Sequence, residues 1–113
     1  MTYFLTTAIA YPNGDPHIGH AYEVVLADIK ARARRARGEI VVLASGLDEH
    51  GLKMVKTAER EGIRVEELCE RNSERFIRLN ERLDVRLDRY TRTSMPEHKI
   101  VAQALWKNPC SQE

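Results

Sequence analysis

The chain has 113 residues, of which 42% are hydrophobic and 31% charged, and its net charge at neutral pH is +1. Such a length allows one small domain with a modest core, and the balanced charge excludes polyanion binding driven by bulk charge alone. No apolar run approaches the roughly 20 residues that span a bilayer, so we expect no membrane partner.

The two cysteines, Cys69 and Cys110, have no metal-ligand spacing. The first residues also lack the basic segment that opens a signal peptide. We therefore expect a cytoplasmic protein, with no metal site in this chain.

The first half of the chain predicts a strand, a turn and a helix. The apolar segment Tyr3 to Ile9 is typical of a buried strand, and Tyr22 to Arg37 follows a turn rich in Pro and Gly. Gly38 is a good helix stop. Apolar residues recur at three- and four-residue steps and are expected to face the core: Ile18, Tyr22, Val25, Ile29 and Ala36.

The second half alternates in the same way. Ile40 to Leu43 is a continuous apolar run, as expected of a parallel strand buried on both faces. Two helices, a short strand and a last helix follow, at Gly51 to Glu61, Val65 to Leu83, Tyr90 to Ser94 and Pro96 to Trp106. One side of the long helix carries Leu68, Asn72, Phe76, Leu79 and Leu83. This alternation predicts an α/β fold with a Rossmann-like parallel sheet.

The turn after the first strand carries the residues suited to chemistry. His17 and His20 stand in the first turn of the helix, where unpaired N–H groups and partial positive charge attract phosphates. Gly19 leaves a flat surface between them for a ring or a ribose. The alternative is structural: His17 caps the helix and His20 packs in the core. Asn13 and Gly14 are turn formers whose approach to a nucleotide is secondary.

The His17-Ile-Gly-His20 segment, in this strand–turn–helix context, resembles the signature of class I aminoacyl-tRNA synthetases. The longer string from Thr7 to Tyr22 is similar to the methionyl-tRNA synthetase family. Three further matches follow in the family's order: Gly46-Leu-Asp48-Glu-His50-Gly51, Glu70 to Phe76, and Tyr90 to Ser94. Four ordered matches make the resemblance specific, and it covers Tyr3 to Trp106.

The resemblance implies a ligase that uses ATP to convert methionine to methionyl-adenylate and then transfers it to tRNA. It implies that His17 and His20 are catalytic, and that Mg²⁺ enters with ATP as part of the substrate. The ATP-binding residues would be Asn13, Gly14, His17, Gly19 and His20.

The methionine-binding residues implied by the family are Ile9, Tyr11 and Asp48. Asp48 would accept a charge-assisted hydrogen bond from the α-ammonium group, and Ile9 and Tyr11 would meet the thioether side chain. The alternatives are core packing for Ile9 and Tyr11, and a turn or helix N-cap role for Asp48. Glu23 could reach a ribose or stay solvated, and His50 could orient Asp48 or be structural.

Five basic residues crowd the end of the first helix: Lys30, Arg32, Arg34, Arg35 and Arg37. They could contact tRNA phosphates or complement the negative end of the helix dipole. We favour the second interpretation, because acidic residues balance the total charge and no aromatic stacking platform accompanies the arginines.

The chain is much shorter than a full synthetase. Residues 1–106 would form the N-terminal half of a Rossmann-type catalytic domain, and residues 107–113 a loose tail without resemblance to the family. The sequence contains neither the Lys-Met-Ser-Lys-Ser loop nor the zinc-binding insertion nor the anticodon-binding domain. We therefore expect weak or no activity from the isolated chain.

Half of such a sheet would leave an apolar surface exposed near Phe4, Val41 and Leu43. Trp106 would also lack the elements that follow it in the family. Self-association or a complementing polypeptide is then expected. The alternative function is a non-catalytic remnant that binds a nucleotide or a partner polypeptide.

Overall fold

The computed structural model describes residues 1–107. Its strands are β1 (Thr2–Thr6), β2 (Ile40–Leu47) and β3 (Arg89–Arg92). Its helices are α1 (Ile18–Arg35), α2 (Leu52–Glu61), α3 (Val65–Arg82) and α4 (Pro96–Lys107). Every predicted element is present in the predicted order, so the Rossmann-like α/β prediction is confirmed. Lys107 belongs to α4, and the other residues of the expected tail lie outside the described residues.

The three strands form one parallel sheet in the order β1-β2-β3. β1 pairs with β2 from Thr2↔Ile40 to Thr6↔Ala44, and β3 pairs with the other edge of β2 from Ala44 to Leu47. β2 runs beyond the predicted end at Leu43, because its residues from Ala44 to Leu47 pair with β3. β1 stops before Ile9, and only an isolated bridge joins Ala10 to Leu47.

One face of the sheet is covered by α1. Val41 and Leu43 are buried there with Ala31 of the helix, and the half-buried residues around them are Tyr3, Leu5, Ala27 and Leu87. Because side chains alternate along a strand, the prediction that Val41 and Leu43 lie near an exposed surface is wrong.

The opposite face of the sheet is left open by residues 1–107. It carries Phe4 and Ile40, whose side chains are 68% and 66% exposed. The described residues accordingly form a slab, with principal extents of 49 × 47 × 19 Å. Trp106, in α4, is also exposed.

The side of α1 that faces the core differs from the prediction. Ile18, Tyr22 and Ile29 are exposed, whereas Asp28 and Ala31 are buried. The small Ala27 and Ala31 side chains let the helix lie close to the sheet. Asp28 forms an ion pair with Arg32 and accepts a hydrogen bond from the Arg86 N–H at 3.4 Å, which makes its burial tolerable.

A second cluster joins α2 to α3. It contains Met54, Ala58, Leu68 and Cys69, with Ile63 and Val65 packed against them. Gly62 ends α2 in the left-handed conformation, with φ of 69°, as a glycine after a helix commonly does. None of the helices within residues 1–107 is long and apolar enough to cross a membrane.

Candidate nucleotide and amino-acid site

The two signature histidines cap α1. His17 is the N-cap residue, and its Nδ1 accepts a hydrogen bond from the Gly19 N–H at 3.1 Å. In return the His17 N–H donates to Nδ1 of His20 at 3.1 Å. This reciprocal arrangement is a capping box built from imidazoles. The capping alternative for His17 is therefore observed.

The capping bonds fix where the imidazole protons lie. A nitrogen that accepts an N–H bond carries no proton, so the proton of each neutral ring is on Nε2. The rings stack with centroids 3.9 Å apart and planes inclined at 30°. Burial, and then the neighbouring His17, lower the pKa of His20, while Glu23 acts in the opposite sense. The pair thus offers two Nε2–H donors side by side.

Backbone donors at this helix end are largely occupied within the chain. The Gly19 N–H caps onto His17, and the N–H groups of His20 and Ala21 donate to the His17 carbonyl oxygen at 3.0 and 3.2 Å. The prediction of unpaired N–H groups is wrong for these three residues, and the imidazoles add donors beside this helix end.

Gly19 is needed by the histidine cap itself. A Cβ at this position would lie 3.0 Å from Cε1 and 3.1 Å from Nδ1 of His17. The glycine therefore makes room for the capping ring as well as leaving a flat surface above it.

Helix α3 holds the turn that precedes the histidines. The buried Asn72 side chain donates to the Pro12 carbonyl oxygen at 2.6 Å, Arg75 pairs with Asp15, and Phe76 packs against His20. The sequence placed Asn72 and Phe76 on one side of α3 but assigned Asn72 no role. The available signal was a polar residue at a position that helical periodicity assigns to the core.

Two backbone hydrogen bonds bring the segments that carry the expected methionine-binding residues together at the end of β2. The Ala10 N–H donates to the Gly46 carbonyl oxygen at 3.3 Å, and the Asp48 N–H donates to the Ala10 carbonyl oxygen at 2.9 Å. These bonds place Ile9 and Tyr11 beside Asp48, at the carboxyl edge where open α/β sheets bind ligands. Ile9 is 46% and Tyr11 is 51% exposed, so neither packs in the core.

Asp48 is held by the loop around it. Its Oδ1 accepts hydrogen bonds from the His50 N–H at 3.3 Å and the Thr93 hydroxyl at 3.4 Å. The N-cap of α2 is Gly51, without a side-chain cap, so the N-cap alternative for Asp48 is wrong. The turn alternative is observed, because Asp48 accepts the bond from the N–H two residues further on. His50 has a structural contact, since its Nε2 lies 3.1 Å from the Thr93 carbonyl oxygen.

A buried carboxylate that the sequence argument did not single out lies next to Asp48. The Glu49 side chain is fully buried, pairs with Arg92 at 2.8 Å and accepts a hydrogen bond from the Ser94 hydroxyl. Its N–H donates to Thr93 Oγ1 at 2.8 Å. The two opposite charges are visible in the sequence, but their contact depends on β2 and β3 being neighbours, which only the sheet order shows.

The remaining candidates have structural contacts or stay exposed. Glu23 Oε1 accepts from the Ala8 N–H at 2.9 Å, which ties α1 to the end of β1. Asn13 and Gly14 are exposed in the turn, away from the core. Within residues 1–107, no three His, Cys, Asp or Glu side chains are placed to hold a metal ion.

The basic end of α1 is largely neutralised. Arg32 pairs with Asp28 and Asp84, Arg34 with Glu39, and Arg35 with Asp88. The Arg34 guanidinium also lies 3.7 Å from the centroid of the Tyr3 ring. These pairs support the structural interpretation of the cluster over contact with tRNA.

A model of the family described as tRNA synthetases class I (M) matches residues 3–113. The chain belongs to this family. The match to the methionyl class I synthetases continues past Trp106, where the resemblance in the sequence was expected to end.

Relatives of the methionyl class span far more residues. The chain is 50% identical over 105 residues to methionine–tRNA ligase of Brucella suis biovar 1, covering 93% of this chain and 20% of that protein. It is 46% identical over 105 residues to methionine–tRNA ligase of Mycobacterium leprae, with the same coverages. The chain thus spans about a fifth of the length of these curated relatives.

A solved structure of the methionyl class has the same fold. Mycobacterium tuberculosis methionyl-tRNA synthetase in complex with methionyl-adenylate superposes with a TM-score of 0.92 at 42% identity. The superposition covers 94% of this chain and 21% of that one.

Proposed function

We propose that this chain is the part of a methionine–tRNA ligase that meets ATP and methionine, with residues 1–106 as the N-terminal half of the catalytic domain. The observation that carries the proposal is the stacked pair of imidazoles at His17 and His20, each with its Nδ1 occupied by a capping bond, on the sheet edge that also holds Asp48. A family relative that binds methionyl-adenylate superposes on almost the whole chain.

The reaction would be activation of methionine followed by transfer to tRNA. The methionine carboxylate attacks the α-phosphorus of ATP, a new P–O bond forms, and pyrophosphate leaves with the electrons of the broken bond. Negative charge then grows on the phosphoryl oxygens. One preorganised donor aimed at such charge is typically worth about 10²–10³ in rate. His17 and His20 would supply two of them, as catalytic residues that need no proton transfer.

The nucleotide would lie over the turn and the start of α1. Gly19 would let the ribose or phosphates approach the backbone, and Asn13 with Gly14 would line the approach from the exposed turn. ATP would enter with Mg²⁺ as its substrate complex, the cation being held mainly by phosphate oxygens.

Methionine would lie at the end of β2. Asp48 would accept a hydrogen bond from the α-ammonium group, and the exposed Ile9 and Tyr11 would cover the thioether side chain. The backbone hydrogen bond from the Asp48 N–H to the Ala10 carbonyl oxygen holds the segment with Ile9 and Tyr11 next to the loop with Asp48.

Calorimetry with ATP tests the proposal. We expect ATP binding that weakens in His17→Ala and in His20→Ala, with effects that do not add in the double variant, because both rings address one phosphate chain. His17→Asn should keep the helix cap, since Asn is a good N-cap residue, yet weaken ATP binding as His17→Ala does. ATP binding unchanged by both alanine replacements would place the nucleotide elsewhere.

Methionine-dependent exchange between ATP and pyrophosphate measures the chemistry directly. The isolated chain spans about a fifth of its relatives, so we expect exchange that is weak or undetectable. Exchange at the rate of a full-length family member would overturn this expectation.

The second candidate function is binding of a partner polypeptide without catalysis. The open sheet face with Phe4 and Ile40 favours it, because parallel sheets are ordinarily covered on both faces. A polypeptide carrying the remaining part of the family's fold is the partner we propose. Restoration of exchange on mixing the two chains would support the ligase function, whereas binding without exchange would support the remnant.

A further inference from the structure

Three residues on one face of α3 contact the turn before α1 and the first turn of that helix. Asn72, Arg75 and Phe76 are spaced three and four residues apart, so they share a face of the helix. Asn72 bonds the backbone of Pro12 and Arg75 pairs with Asp15. Phe76, itself buried, is the member of the three that contacts a proposed catalytic side chain.

The His20 ring is restrained by both aromatic neighbours. It stacks on the His17 ring, and it meets the Phe76 ring edge to face with centroids 5.0 Å apart and planes inclined at 65°. A rotation of the imidazole by half a turn would exchange Nδ1 for a carbon and break the bond from the His17 N–H. The contact with Phe76 opposes that rotation.

We propose that Phe76 is a positioning residue for His20, holding the imidazole so that Nδ1 caps α1 and the Nε2–H faces an anionic ligand. The proposal rests on the proposed function of His20 in the nucleotide site. Phe76 would act through His20 and would not touch the substrate itself.

The charged and titratable surroundings of His20 are few. His17 and Glu23 on α1 influence its pKa, and Tyr90 of β3 lines the same small cavity of about 20 Å³ as His20. Burial is the largest cause of the lowered pKa. Since Phe76 covers the ring, its removal should allow that pKa to rise.

Nuclear magnetic resonance of the ¹⁵N-labelled 113-residue chain tests the proposal. In the unsubstituted chain we expect His20 to be a single Nε2–H tautomer. In Phe76→Leu, which keeps an apolar side chain but removes the ring, we expect both tautomers and a raised His20 pKa. Phe76→Tyr should restore the original spectrum, and Arg75→Ala, on the same helix face, should leave the His20 signals unchanged.

Two results would overturn the positioning role. One is a single, unshifted Nε2–H tautomer in a folded Phe76→Leu variant. The other is a mixture of His20 tautomers in the unsubstituted chain. This second result does not depend on the folding of any variant. Circular dichroism shows whether each variant is folded.

A titration of the same samples with ATP separates this proposal from the proposed function. If no imidazole signal moves with ATP in the unsubstituted chain, the nucleotide site is wrong, while a tautomer change in Phe76→Leu still supports positioning. If ATP moves the imidazole signals equally in both chains and the tautomer is unchanged, the positioning role alone is wrong.

Discussion

His20 is a titratable group built into a helix cap. The bond from the His17 N–H to its Nδ1 needs a neutral ring, because a protonated imidazole has no acceptor nitrogen. Burial and His17 lower the pKa of His20 below its ordinary value of 6.5. Because its pKa is lower in the folded chain, His20 binds a proton more readily in the unfolded chain than in the folded one. The stabilisation is therefore complete above pH 6.5 and is lost as the pH falls through the folded pKa.

Replacing His20 by Gln should flatten this part of the pH dependence. Gln at the third helical position can complete a capping box without titrating. We expect the free energy of unfolding of His20→Gln to change less than that of the unsubstituted chain between about pH 5 and pH 7.5, the range in which histidine titrates. Urea unfolding across this range measures it. His98→Gln, on exposed α4, should keep the original slope, and a similar flattening there would contradict the assignment to His20.

Tyr90 presents the opposite case, a buried polar group without a bond. Its hydroxyl has no hydrogen-bond partner within residues 1–107, and burial, then Glu49, raise its pKa to about 12. Tyr90→Phe removes only this hydroxyl, so we expect stability within about 0.5 kcal/mol of the unsubstituted chain, or slightly above it.

Thr93→Val is the matched control for Tyr90→Phe. It removes a buried hydroxyl that accepts the Glu49 N–H at 2.8 Å, and we expect it to cost about 1–3 kcal/mol. Urea unfolding of both variants at neutral pH gives the comparison. An equal loss in Tyr90→Phe would show that its hydroxyl is bonded in solution.

At the scale of elements, the pairing of β2 with β3 depends on a glycine. A Cβ on Gly46 would lie 2.0 Å from the Thr91 carbonyl oxygen, which belongs to the backbone of the adjacent strand and cannot rotate away. We expect Gly46→Ala to separate the strands and to destabilise the chain by about 3 kcal/mol or more. Gly14→Ala, where no atom lies within 4 Å of the added Cβ, should unfold close to the unsubstituted chain in a thermal melt.

The order of the elements followed from the sequence because the strand and helix periods alternate clearly. The face of α1 did not, since its apolar stripe at Ile18, Tyr22 and Ile29 is exposed while two alanines pack against the sheet. Periodicity shows that a stripe exists but not which element covers it.

For the candidate site, the motifs are enough to select the histidines and Asp48 as candidates. The capping box could not, because imidazoles rarely take the place of the usual Ser and Glu. The role of Glu49 depends on which strands are neighbours, and that requires the sheet order. Its partner Arg92 lies 43 positions after Glu49 in the sequence.

For the whole molecule, the exposed sheet face and the edge of β1, which pairs with no other strand within residues 1–107, predict association. Phe4 and Ile40 are exposed on a flat face beside unpaired strand backbone, an arrangement that favours contact between copies. We expect sedimentation velocity to show reversible association that increases with concentration.

Substitutions on the open face test the source of this association. Phe4→Ser with Ile40→Ser should reduce it, while Ile100→Ser, at an equally exposed apolar residue of α4, should leave it unchanged. A chain that stays monomeric at high concentration, or association reduced only by Ile100→Ser, would contradict the assignment.

The imidazole capping box has an evolutionary consequence. Because His17 and His20 stabilise the start of α1, selection for folding alone would retain them in a descendant that no longer catalyses. Ile9 and Tyr11 are exposed and support little of the core, so neutral drift would reach them first. Substitution rates at these four positions among related sequences would therefore report on catalysis through Ile9 and Tyr11, and on folding through the histidines.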